Sequence, residues 1–246
     1  MIPKIIWQTH EYEYKDLPVN YKKSADTWKN VNQGWDYRYI SAKERSKIVA
    51  ELDPYLHELF FSEERVGTFY GKVHQADIFR YLVTYEFGGV YADMDSVCKK
   101  PLDYMIGSIH EDYEVLYATE KSSQYNNAMF AATPKSSVLE NIIKNIKSSN
   151  ISQAKVPEKE LPDPVTGTHY SSHYFPKGSL HEIWSNEVKF NTQAKPLFSA
   201  GSHSKDYLEY PSIISIHDWC GLALRIDYYG EIILYPNLME RLGISI

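Results

Sequence analysis

Gly88-Gly89-Val90-Tyr91-Ala92-Asp93-Met94-Asp95 is the stretch on which the reading of this chain turns. Paired glycines after a helical run mark a stop, since helices commonly end on a residue in the left-handed region, where glycine carries no Cβ penalty. Val90-Tyr91-Ala92 then reads as a short apolar strand, with Asp93 and Asp95 at its carboxyl end. In open α/β sheets that end faces the ligand crevice. Two carboxylates one residue apart repel each other and raise a pKa unless a cation joins them. Hard oxygen ligands favour Mg²⁺ or Mn²⁺, which use one or two carboxylates together with substrate phosphates. A solvated acidic turn would show the same two aspartates, and the strand and glycines upstream are what argue for a site.

Working back from the glycines, residues 74–87 have helical periodicity. At about 100° per residue, Ala76, Phe79, Leu82, Val83 and Phe87 share one side, and His74, Asp77, Arg80 and Thr84 share a second stripe. Asp77 and Arg80 fit an exposed i,i+3 ion pair worth a few tenths of a kcal/mol. They equally fit an arginine aimed at the two aspartates and an anionic ligand. Further out, residues 2–8 read as a strand stopped by Thr9-His10-Glu11, 19–30 as a helix and 35–40 as a strand. Residues 42–52 and 54–61 read as helices, the second with Pro54 in its first turn.

Downstream, 114–119 and 127–132 read as strands and 136–147 as an amphipathic helix. The polar stretch 148–164, with Pro157, Pro162 and Pro164, reads as a surface loop. A strand over 212–216 and a hairpin turning at Tyr228-Tyr229-Gly230 close the pattern. Strands alternating with helices predict an α/β layer fold around a mainly parallel sheet flanked by helices.

Composition bounds the rest. At 246 residues, 43% hydrophobic and 24% charged, the chain can build a core without metal or disulfide staples. A net charge of −6 provides no global basic field for nucleic acid. No apolar run approaches the ~20 residues that span a bilayer. Met1-Ile2-Pro3-Lys4-Ile5-Ile6-Trp7 enters a strand pattern without a signal-peptide core, and Cys98 and Cys220 suit a reducing compartment as buried thiols. These features predict a cytoplasmic protein. The 21 tyrosines suit half-buried positions and sugar faces alike.

The string Ala76-Asp77-Ile78-Phe79-Arg80-Tyr81-Leu82, Gly88 to Asp95, and Lys100-Pro101-Leu102 resembles the DXD-motif sugar transferases of glycosyltransferase family 32. Ile2-Pro3-Lys4-Ile5-Ile6 is similar to that family's opening strand, and His217-Asp218-Trp219 to its terminal His-x-Trp block. The resemblance implies one GT-A domain over residues 1–246, with an acceptor-side loop region at 148–185. It also implies a retaining transferase that moves a hexose from a UDP- or GDP-sugar, with Mn²⁺ or Mg²⁺, to a saccharide or other hydroxyl acceptor; contact with a membrane surface is compatible with it. Carried over, Asp93, Asp95 and His217 would hold the metal, while Gln8, Thr9, His10, Asp77, Arg80, Asp93 and Asn127 would bind the donor. Asp77, Arg80, Asp93, Asp95 and Trp219 would form the catalytic set, and Thr166, Gly167 and Thr168 the acceptor loop. The chain departs from the family pattern at Trp7, His10 and Thr168, where His, Trp and Pro are usual.

Two other readings fit parts of the chain. Asp93-Met94-Asp95-Ser96-Val97 matches the opening motif of haloacid-dehalogenase phosphatases, but that motif normally begins its domain, and Arg80 would then have no role. An inactive sugar-binding relative would keep the cleft without turnover, although both aspartates, Arg80 and the His-Trp block are retained.

Overall fold

Strand β1 (Ile5–His10) is buried along its middle, as befits a strand with neighbours on both sides. The structure, a computed structural model, describes residues 1–62, 69–98, 101–106, 114–121, 124–148, 198–200 and 215–217. From β1 the chain passes a 3-10 turn (Tyr14–Asp16) into α1 (Val19–Val31) and returns as β2 (Asp36–Ser41). A crossover of this kind gives a parallel pair, and β1 and β2 pair parallel from Ile5↔Asp36 to His10↔Ser41. The β1 strand therefore continues through Thr9 and His10, which sequence placed beyond its end, because Ile40 and Ser41 supply ladder partners.

Ser41 caps α2 (Ala42–Leu52) through a capping box with Glu44, and Asp53 caps α3 (Pro54–Phe60) by accepting from the Leu56 N–H. Helix α4 (Phe69–Phe87) begins five residues before the sequence pattern suggested. It is buried on nearly all sides, with α2 and α6 (Ser137–Ser148) packed against it. Its apolar and polar stripes are both interior. Phe87 alone of the expected apolar side is exposed, lying against Trp7 at the helix end.

The reversal after α4 rests on two glycines. Gly88 and Gly89 have φ of +68° and +100°, and a Cβ on Gly89 would stand 2.6 Å from the Ile5 carbonyl oxygen. The chain then returns as β3 (Gly89–Ala92), parallel to β1. Strands β5 (Val115–Lys121) and β6 (Gln124–Ala132) are two residues apart, which allows only an antiparallel hairpin. Since β6 pairs antiparallel with β3, the sheet β2-β1-β3-β6-β5 is mixed: parallel across its first three strands, antiparallel across the rest.

After the two aspartates, β4 (Ser96–Cys98) leaves this sheet. It joins β8 (Ser215–His217) and β7 (Phe198–Ala200) in a second sheet of order β4-β8-β7. Helix α5 (Leu102–Ile106) follows β4. Three-residue strands and a five-residue helix carry no readable periodicity, so β4, β7 and α5 were invisible to sequence. The hairpin expected at 224–234 and most of the 148–164 loop lie outside the described residues. Among the described residues, no helix is long and apolar enough to cross a membrane.

Candidate functional site

From Arg80 to the end of α4 the helix rises about 10 Å, at ~1.5 Å per residue. From Gly89 to Asp93 the strand advances about 13 Å, at ~3.3 Å per residue. The reversal at Gly88-Gly89 therefore brings Asp93 back level with Arg80. One guanidinium nitrogen of Arg80 lies 3.2 Å from Asp77 Oδ1 and 3.1 Å from Asp93 Oδ1. The other donates to the Asn127 carbonyl at 2.6 Å, and the group lies over the Tyr91 ring, 4.6 Å from its centroid. The side chains of Arg80 and Asp77 are only 5% and 3% exposed, and that of Asp93 24%. Burial by itself would discharge Arg80; the carboxylates, Asp93 foremost, outweigh it and hold the group firmly charged.

Asn127, on β6, donates its amide N–H to Asp77 Oδ1 at 3.1 Å and to the Tyr81 hydroxyl oxygen at 3.0 Å. Tyr91 donates its hydroxyl to Asp93 Oδ1 at 2.7 Å. Burial, reinforced by Asp93, pushes the Tyr91 phenol far up, so it remains a donor. The role of Tyr91 was missed in the sequence. Strand alternation carried the signal, because Tyr91 and Asp93, two apart, point to the same side.

The aspartate turn itself is closed by backbone bonds. Asp93 N–H donates to the Ala128 carbonyl at 2.8 Å, extending the β3–β6 ladder, and Ser96 N–H donates back to the Asp93 carbonyl at 3.0 Å. Ser24 and Trp28 of α1 both donate to the Ser96 carbonyl, fixing the turn from below. Asp95 remains half-buried at the tip. The register pairs Ser96 with His217, so the backbone of β8 brings His217 beside Asp95.

The end of β1 forms the neighbouring wall. Gln8 is fully buried, donating to the Asp93 carbonyl at 3.1 Å and accepting from the Tyr37 hydroxyl at 2.7 Å. It ties β1 to the aspartate turn, and both ends of its amide are engaged. Thr9 is likewise buried, donating to the Ile40 carbonyl at 2.7 Å. His10 packs against Tyr21 and Tyr12, with ring centroids 4.6 and 5.3 Å apart. Burial lowers its pKa to about 4; Glu11 and Asp95 oppose the shift, and Arg45 and Lys72 add to it. His10 is neutral at pH 7.

The geometry thus brings Asp77, Arg80, Asp93 and Asn127 into one bonded cluster, with Asp95 beside it and Gln8 braced against it. Trp219, Thr166, Gly167, Thr168 and Cys220 lie outside the described residues. Cys98 is buried, and its sulfur accepts from the Asn32 amide at 3.3 Å.

One arginine against Asp77 and Asp93 leaves a negative charge before Asp95 is counted. Among the described residues no group of three or more His, Cys, Asp or Glu side chains forms a ready-made cage. A part-exposed pair of carboxylates fits Mg²⁺ or Mn²⁺, which takes its remaining ligands from substrate phosphates and water. Asp95 and Asp93 are the residues that would hold it.

A mixed sheet whose strand β3 ends on a D-x-D turn beside the end of β1, with a second small sheet leaving that turn, is the GT-A type of α/β fold. The solved PaToxG glycosyltransferase is similar at a TM-score of 0.54, with 13% identity over 70% of this chain and 67% of that one. Residues 18–110 match the family described as the glycosyltransferase sugar-binding region containing the DXD motif. Over that stretch the chain is similar to the DXD-motif glycosyltransferases. An initiation-specific alpha-1,6-mannosyltransferase of Candida albicans is 32% identical over 108 residues, covering 43% of this chain and 27% of that protein. Inositol phosphoceramide mannosyltransferase 1 of Schizosaccharomyces pombe is 27% identical over 152 residues, covering 61% and 44%. The chain thus spans less than half the length of these two relatives.

Proposed function

We propose that this protein is a metal-dependent, retaining glycosyltransferase that moves a hexose from a nucleotide diphosphate sugar to a saccharide or other hydroxyl acceptor. The observation that carries the reading is the buried Asp77–Arg80–Asp93 cluster at the β3 end, with Asp95 adjoining it. A structural ion pair on a helix needs one acid. Here one arginine serves two acids from different elements, and a third carboxylate stands at the tip. The names of the two fungal relatives favour mannose as the sugar.

In such a transfer negative charge develops on the leaving diphosphate and positive charge on the anomeric carbon. A divalent ion held by Asp95 and Asp93 would supply Lewis-acid stabilisation of the diphosphate. Arg80 fixes Asp93 and Asp77 in place without rotamer search, so the carboxylates are preorganised when donor arrives. Asn127 and Asp77 line the sugar side in this reading. His217 would complete the metal site and Trp219 would donate its indole N–H to the leaving phosphate. Thr166, Gly167 and Thr168 would meet the acceptor. The acceptor hydroxyl would attack on the leaving-group face and pass its proton to the departing phosphate.

The test is nucleotide release from a panel of UDP- and GDP-sugars with and without Mn²⁺, run beside Asp95→Asn. Slow metal-dependent hydrolysis of one donor, reduced at least ~10²-fold in the variant, is the expected outcome. Full metal-dependent turnover by Asp95→Asn would overturn the assignment.

A further inference from the structure

The end of β1 is held by a device that the donor reading does not itself require. Arg45, on α2, is 1% exposed, and its guanidinium reaches across to the strand end. One nitrogen donates to Thr9 Oγ1 at 3.1 Å and another pairs with the Glu11 carboxylate. Thr9 in turn donates a hydrogen bond from its hydroxyl to the Ile40 carbonyl at 2.7 Å. Three residues on from Thr9, the Tyr39 hydroxyl donates to the Tyr12 carbonyl. Residues 9, 11 and 12 are therefore each pinned from the β2–α2 side, and His10 is packed between the Tyr12 and Tyr21 rings.

Stability alone is a poor account of this arginine. Among the described residues its Nε is buried without a hydrogen-bond partner, which costs the desolvation of that donor. Buried ion pairs are often matched or bettered by apolar side chains of similar volume. Glu11 is 31% exposed, so it can rehydrate if the arginine is lost. What the pairing does is fix the backbone path of a loop start that would otherwise be free on its solvent side. That loop start is the wall facing Asp95.

We propose that Arg45 is a positioning residue: through Thr9 and Glu11 it holds residues 9–12 as a preformed wall of the donor-nucleotide pocket. The assignment rests on the transferase reading above. Preorganising a loop in its bound form removes an ordering cost from each binding event, so the clamp acts on donor affinity. The bond-breaking step, at the other aspartate wall, is left to its own residues.

Two variants test it: Arg45→Met, after which the 31%-exposed Glu11 can hydrate, and Glu11→Ala, which leaves the Arg45 guanidinium bonded to Thr9. Amide hydrogen exchange should quicken at least about tenfold at residues 9–12 in both variants, with the β3 amides unchanged. The Kd for UDP or GDP with Mn²⁺, and the donor KM, should rise at least about tenfold, while kcat at saturating donor stays within about threefold. Arg45→Lys, which keeps the charge but not the two-pronged geometry, should not restore affinity. Exchange and Kd equal to wild type in both variants would overturn the clamp, as would a fall in kcat at unchanged KM. Wild-type protein that binds neither UDP nor GDP would overturn the transferase reading instead, and unchanged exchange at 9–12 would still sink the clamp by itself.

Discussion

Two buried arginines close two neighbouring parallel strands, and they are built differently. Arg80 stands behind the end of β3 and is answered by two acids, of which Asp77 is 3% exposed. Arg45 stands behind the end of β1 and is answered by a hydroxyl and by Glu11, which is 31% exposed. The first arrangement is sealed at Arg80 and Asp77, which need each other to remain ionised away from water, with Asp93, 24% exposed, as its solvent edge. The second is sealed on one side only. A sealed charge cluster sets stability and site geometry together, whereas a half-sealed one can be opened with the fold intact.

The contrast is broken most severely at Arg80. Arg80→Met should cost about 3–5 kcal/mol, the usual consequence of stranding a buried carboxylate, read by urea denaturation. A loss below about 1 kcal/mol would show that Asp77 reaches water, and the two strand ends would then be alike.

Acid separates the ends in a second way. His10 has a folded-state pKa of about 4 against an ordinary 6.5, so between those values the unfolded chain binds a proton that the folded chain refuses. Stability is therefore complete above about pH 6.5 and falls as pH drops towards 4, by roughly 2–3 kcal/mol in all. Comparing stability–pH curves of the wild type and His10→Gln checks this. The variant should lose that part of the slope, and parallel curves would mean that His10 already titrates normally beside Tyr21 and Tyr12.

The smallest expected effect lies away from both ends. Glu140 and Lys144 on α6 form an i,i+4 pair at 2.8 Å, with side chains 42% and 63% exposed. Lys144→Ala should move stability by no more than about 0.5 kcal/mol. It serves as the solvent-exposed baseline against which the buried arginines are measured by the same denaturation.

Much of this was legible before any coordinates. The bounds of α2 are those that the sequence pattern predicted, because helical periodicity is a local signal. The reversal at Gly88-Gly89 was readable for the same reason, and so was the pair of aspartates after an apolar strand. The i,i+3 spacing of Asp77 and Arg80 predicted their contact. It left open whether that contact was an exposed pair or a buried bridge to the aspartates. Gln8 was read as lining the donor pocket; its amide is spent between Tyr37 and the Asp93 carbonyl, and nothing local to residue 8 announces either partner. Arg45 drew no notice at all, since a single arginine in an amphipathic helix looks like one more surface charge.

The sequence by itself determined the reversal, the strand that follows it and the carboxylates at its tip, because backbone preference and side-chain periodicity act over a few neighbouring residues. Tertiary structure decided which charges neutralise which. Arg80 meets Asp93 across thirteen positions of sequence, and Arg45 meets Glu11 across thirty-four. In a low-dielectric interior the cost of an ion depends on every group within a few ångströms, and those neighbours come from elements that only the packed layers bring together.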